Sequence, residues 1–198
     1  MRPLSPEYAK ITNDLMRQLS EMSKDKYKIH TSKWREGARP GQSDVWTGPS
    51  SISRRPDIDH FIAAQHAKII IDPNIKAPGY SLKTDAITMR SIGDDFRDSY
   101  VTMLHELVHW TGPRLHRLGS FIDSEEEYTG EEAVAELGTA FLAHDFKLGF
   151  DLLALRHAPY LFGYFYNIDW SPGNLIPASY FAQDAVDYLY AQERKEIV

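Results

Sequence analysis

Tyr8, Ile11, Leu15 and Leu19 return at intervals of three and four, which puts them on one face of a helix over about residues 6–22. Such a stripe needs an apolar partner, so this helix is expected to pack on the body of the protein. From 23 to 56 the pattern breaks: polar residues dominate, and Gly37, Pro40, Gly41, Gly48, Pro49 and Pro56 mark a loop or linker anchored locally by Trp34 and Trp46. Ile58, Phe61 and Ile62 predict a short helix over 57–65, and Ala67-Lys68-Ile69-Ile70-Ile71 a strand. After a Pro/Gly-rich turn at 73–79, residues 79–82 and 86–89 read as two strands joined across Lys83-Thr84-Asp85 in a hairpin.

The next pattern is helical. Tyr100, Leu104, Leu107 and Val108 supply an apolar side to a helix capped by Asp95 or Asp98 and stopped by Gly112-Pro113. An acidic stretch at 123–127 leads into a second helix around 131–147, where Ala133, Val134, Leu137, Ala140, Phe141 and Leu142 leave almost no polar side. A helix apolar nearly all round is buried. Further helices are expected around 157–166 and 178–193. Several helices with a few short strands make an α+β architecture, a small, mainly antiparallel sheet packed on one helix with a second helix buried behind it.

Length and charge refine this picture. The 198 residues, 42% of them hydrophobic, suffice for one core, and we divide the chain into a basic arm, 1–56, and a domain, 57–198. The net charge of −6 is uneven: eleven Lys or Arg stand against six Asp or Glu in 1–56, and eleven against twenty-two in the remainder. A basic arm on an acidic body suits weak contact with single-stranded DNA. No apolar run is long enough for a membrane helix and the N-terminus has no apolar signal segment, so a cytoplasmic protein without membrane contact is expected. With no cysteine, disulfides, thiolate metal sites and cysteine nucleophiles are excluded.

His105-Glu106-Leu107-Val108-His109 carries the candidate chemistry. Residues four apart share a helix face, so both imidazoles can present nitrogen to one ion, and Glu106 can take a proton from the water that ion activates. A catalytic zinc takes three protein ligands and keeps one position open, which calls for a third donor on another element. Glu132 and Glu136, four apart on the apolar second helix, need a partner to justify burial. Glu132 is preferred as ligand, following the Glu-x-x-x-Asp/Glu pattern of glutamate zincins, with Glu136 orienting an imidazole through its free N–H. Glu131 suits a solvated first turn. Tyr128, His157 and Tyr160 are candidate donors to the oxyanion, and His116 and Arg117 read as a charged loop.

Together, Asp85-Ala86-Ile87-Thr88-Met89, the run from Tyr100 through His105-Glu106-Leu107-Val108-His109-Trp110-Thr111-Gly112, Arg117-Leu118 and Glu131-Glu132-Ala133-Val134-Ala135-Glu136 resemble the zincin-like domain of ArdC-type antirestriction proteins, also found in polyvalent proteins of phages and conjugative plasmids. The likeness spans about 57–190, and residues 1–56 do not resemble the longer single-stranded-DNA-binding domain of that family. The resemblance implies a zincin fold, a divalent metal and a role in protecting incoming mobile DNA.

The expectation is therefore a zinc-dependent metallopeptidase of a mobile element, holding one Zn2+ (Mn2+ or another divalent ion being the alternative) and hydrolysing a protein or peptide substrate with Glu106 as general base. An extended substrate is expected to add to an edge strand at 86–89. The rival reading is a metal-containing antirestriction or binding module without a proteolytic role.

Overall fold

The computed structural model describes residues 2–24, 54–90, 96–117, 125–148 and 172–196. In chain order they form α1 (Pro6–Lys24), α2 (Pro56–Ala63), β1 (Lys68–Ile71), β2 (Gly79–Ser81), β3 (Ala86–Met89), α3 (Phe96–Arg114), α4 (Glu125–Asp145), a 3-10 turn (Pro172–Asn174) and α5 (Leu175–Glu196). This is the α+β arrangement expected from the patterning. The helix expected around 157–166, Trp34 and Trp46 lie outside the described residues.

α1 starts where Ser5 Oγ accepts the Tyr8 backbone N–H and Pro6 fills the first helical position, whose N–H would have no helical partner. Its stripe of Tyr8, Ile11, Leu15 and Leu19 is buried in the same core as α4 and α5. Tyr8 stacks on Phe141 with ring centroids 4.1 Å apart and donates its hydroxyl to Asp145. Farther along α1, Arg17 pairs, among the described residues, with Asp14 and Glu21 of its own helix.

The sheet has the order β1-β3-β2. β2 and β3 form the expected antiparallel hairpin, with Tyr80 opposite Ile87, and β1 joins β3 in parallel, Ile69 opposite Ile87. Ala86, Ile87 and Met89 are buried because β3 is the central strand. The expectation of an edge at 86–89 is thereby overturned: both sides of β3 are occupied by ladder partners, and among the described strands the edges are β1 and β2. A buried strand of Ala, Ile and Met reads the same whether its neighbours number one or two, which is why the sequence did not distinguish them.

Two helix boundaries also differ from expectation. α3 does not stop at Gly112-Pro113; Pro113 lies inside its last turn. The chain reverses at His116, in the left-handed region at φ 57°, where the Arg117 N–H donates to the Gly112 carbonyl at 2.9 Å and the His116 N–H to that of Pro113 at 3.3 Å. This pairing of last-turn carbonyls with the returning chain is a Schellman-type ending. α4, for its part, begins at Glu125, six residues before the expected start. Glu131, Glu132 and Glu136 therefore sit inside the helix rather than at its start.

α3 lies between β2 and β3 on one side and α4 and α5 on the other. Its approach to α4 is close: a Cβ added to Gly138 would come 2.8 Å from Val108 Cγ2. That contact brings the face of α3 bearing His105 and His109 against the face of α4 bearing its glutamates.

Candidate metal centre

The two helices bring His105, His109 and Glu132 together, one donor atom of each within 4.8 Å of the others. His105 Nε2 and His109 Nε2 are 3.1 Å apart. Glu132 Oε1 lies 3.6 Å from His109 Nε2, and Glu132 Oε2 lies 3.6 Å from His105 Nε2. Donors about 2.0–2.1 Å from a common tetrahedral ion are separated from one another by about 3.3–3.4 Å. The observed spacings bracket that value.

The charges point the same way. Glu106, Glu131, Glu132 and Glu136 are all buried, at 5–7% exposure. Glu132 Oε2 has no hydrogen-bond partner among the described residues. A buried carboxylate oxygen without a partner is costly, and a cation held between Glu132 and the two imidazoles satisfies it. Burial pushes the Glu132 carboxyl up, but the imidazoles of His105 and His109 outweigh it and hold it below its ordinary range. Burial likewise pushes His105 down, and Glu132, Glu106 and Glu131 more than reverse this. The donor set, two imidazoles and one carboxylate, suits a divalent ion of the zinc or manganese type.

The remaining side chains occupy distinct places. Glu106 Oε2 accepts the Tyr80 backbone N–H at 2.8 Å, which ties the carboxylate to β2. Glu136 Oε1 stands 3.6 Å from His105 Nδ1, on the ring edge opposite the gathered donors. Tyr128, half-exposed, stands on α4 one turn before Glu132. His157 and Tyr160 lie outside the described residues.

Two residues of the centre escaped the sequence reading. Glu131, expected in a solvated first turn, is buried with Oε1 3.3 Å from His109 Nδ1. Arg117, expected in a charged loop, has a side chain only 6% exposed and grips Glu131 through Nε and Nη2. Once the start of α4 is moved to Glu125, Glu131 falls within the buried stretch, and that shift is the signal that was missed.

A family described as zincin-like metallopeptidase matches residues 56–170, more than half of the chain. Two Escherichia coli proteins named DNA primase TraC are each 31% identical, over 143 and 164 residues; these cover 70% and 80% of this chain but 13% and 11% of the relatives. Two crystal structures of antirestriction protein ArdC from plasmid R388 share its fold. The Mn(II)-bound form has a TM-score of 0.58 and 29% identity over 72% of this chain and 54% of ArdC. The metal-free form has 0.56 and 28%, over 73% and 53%. The chain thus spans about half the length of ArdC and roughly an eighth of the TraC relatives.

Proposed function

We propose, from the premise that this chain belongs to the zincin-like metallopeptidase family, that it is a divalent-metal-dependent peptidase of a mobile element, zinc being the working ion and peptide bonds the substrate. The observation that carries the reading is the gathering of His105, His109 and Glu132 donors at the stretch of α3 that also bears Glu106, with a Glu132 oxygen left without a hydrogen-bond partner among the described residues.

His105 Nε2, His109 Nε2 and Glu132 would hold the ion. When bound, a divalent ion acidifies a water and polarises a carbonyl oxygen. Glu106, held through Oε2 by the Tyr80 N–H, has its other carboxylate oxygen available to take the proton of the attacking water. The new bond joins the water oxygen to the carbonyl carbon; the carbon–nitrogen bond then breaks, and Glu106 delivers the proton to the departing amine. The substrate lies along β2, the edge strand whose Tyr80 N–H already reaches Glu106. Among the three candidate oxyanion donors, the exposed position of Tyr128 on α4, one turn before Glu132, supports Tyr128. The plasmid origin of ArdC supports action against a host defence.

Glu106→Gln tests this reading. Cleavage of a mixed peptide library by the metal-loaded chain is expected to fall by about 10²- to 10⁴-fold while metal content stays unchanged. Unchanged cleavage overturns the role of Glu106, and a wild-type chain that binds metal but cleaves nothing favours a metal-containing module without proteolysis.

A further inference from the structure

Arg117 and Glu131 form a buried clamp on the far side of His109. Arg117 Nη2 meets Glu131 Oε1 at 2.9 Å and Nε meets Oε2 at 3.2 Å, a two-pronged pairing that fixes the carboxylate in its plane. Nη1 donates to Thr111 Oγ1 and Nη2 also donates to the Val108 carbonyl, each at 2.9 Å, so the guanidinium is itself anchored to α3. The left-handed turn at His116 folds Arg117 back against the helix it has just left. Trp110-Thr111-Gly112 thus provides Arg117 with a hydroxyl dock at Thr111 and a backbone acceptor at Gly112.

We propose that the Arg117–Glu131 pair positions His109, selecting the imidazole tautomer that offers Nε2 to the metal; this rests on the metal reading above. Arg117 has only donors, so Glu131 faces it as an acceptor, and His109 Nδ1, 3.3 Å from the same carboxylate, must be the donor. With the proton on Nδ1, the lone pair is on Nε2, the nitrogen that faces His105 and Glu132. Glu131 is for the same reason not a ligand: both of its oxygens are engaged away from the gathered donors. The corresponding distance at His105 is longer, its Nδ1 being 3.6 Å from Glu136 Oε1. His109 is therefore the pre-oriented ligand and Arg117 acts on it through Glu131.

The test separates this proposal from the metal reading by using metal-free protein. Nitrogen-15 NMR, recorded on the alkaline plateau where the His105 and His109 signals no longer change with pH, is expected to show His109 protonated at Nδ1 in the wild type and shifted toward the Nε2–H form in Glu131→Ala, with His105 as the internal reference. Glu131→Gln, whose amide oxygen still accepts from Nδ1, keeps the wild-type tautomer. The dissociation constant for Zn(II) alone, by competition with a chromophoric chelator, is expected to rise about 10- to 100-fold in Glu131→Ala and much less in Glu131→Gln. Arg117→Ala, which frees Glu131 to rotate, falls between the two. An unchanged His109 tautomer in Glu131→Ala overturns the proposal, as does a Glu131→Gln variant that loses metal as fully as the alanine. A wild type that binds no metal but shows the predicted tautomers sinks the metal reading and leaves the positioning intact.

Discussion

Asp85 shows how much one residue holds in place near the centre. It sits in the left-handed region at φ 45° in the turn between β2 and β3, accepts the Tyr80 hydroxyl, and pairs with both terminal nitrogens of Arg114. Arg114 in turn lies 3.6 Å over the Trp110 ring. The turn preceding β3 is thereby tied to the end of the helix carrying Glu106. Arg114 holds the Asp85 carboxyl below its ordinary range, against burial and with help from the Tyr80 hydroxyl. Because the folded value is depressed, this pairing stabilises the protein above the ordinary carboxylate range and is lost as pH falls through the folded value. Asp85 is half-exposed, so the loss is modest, about 0.5–1 kcal/mol. Melting followed from pH 7 to pH 3 is expected to fall more steeply for wild type than for Asp85→Asn, which keeps a residue suited to the left-handed turn; parallel curves contradict this. At the same scale, the burial of Glu132 and Glu136 could be read from the sequence because both fall within the apolar stretch of the helix. That of Glu131 is hidden when the helix is started at 131, and that of Arg117 depends on a left-handed turn of which a histidine at position 116 gives less warning than a glycine or asparagine.

The crossing of α3 and α4 decides whether the donors meet. Val108 is fully buried and β-branched, with one favoured rotamer in a helix, so it yields little to a larger neighbour. Gly138→Ala is expected to force the helices apart, destabilising the fold by about 1–3 kcal/mol. Because Gly138 follows Glu136 by two residues, Zn(II) affinity should weaken with it; a variant with wild-type melting and affinity would show that the approach is not limiting. Hydrophobic patterning located the five described α-helices and the three described strands, although β1 exposes Ile70 and Ile71. It did not locate the end of α3 or the middle place of β3. Those depend on tertiary partners: the returning chain at Arg117 in one case, and the parallel addition of β1 in the other.

Across the whole molecule, α1 belongs to the same core as the helices carrying His105, His109 and Glu132, since Leu15 and Leu19 are buried with Phe141 and Leu189. Removing residues 1–56 would therefore uncover the core as well as remove basic charge. Arg2, Arg17, Arg54 and Arg55 are each ion-paired with acidic residues of this chain. The proposed contact of this segment with single-stranded DNA is thus better tested by charge substitution than by deletion. No described helix is long and apolar enough to cross a membrane. Everything in the proposed chemistry depends on one ion at the meeting of α3 and α4. The direct measurement is metal bound per chain, after loading with Zn(II) or Mn(II) and removing excess, for wild type, Glu132→Ala and Glu136→Ala. The account predicts about one ion in wild type, loss from Glu132→Ala, and retention in Glu136→Ala with affinity weakened about 10- to 100-fold; a wild type that binds none, or a Glu132→Ala variant that holds the ion as tightly as wild type, contradicts it.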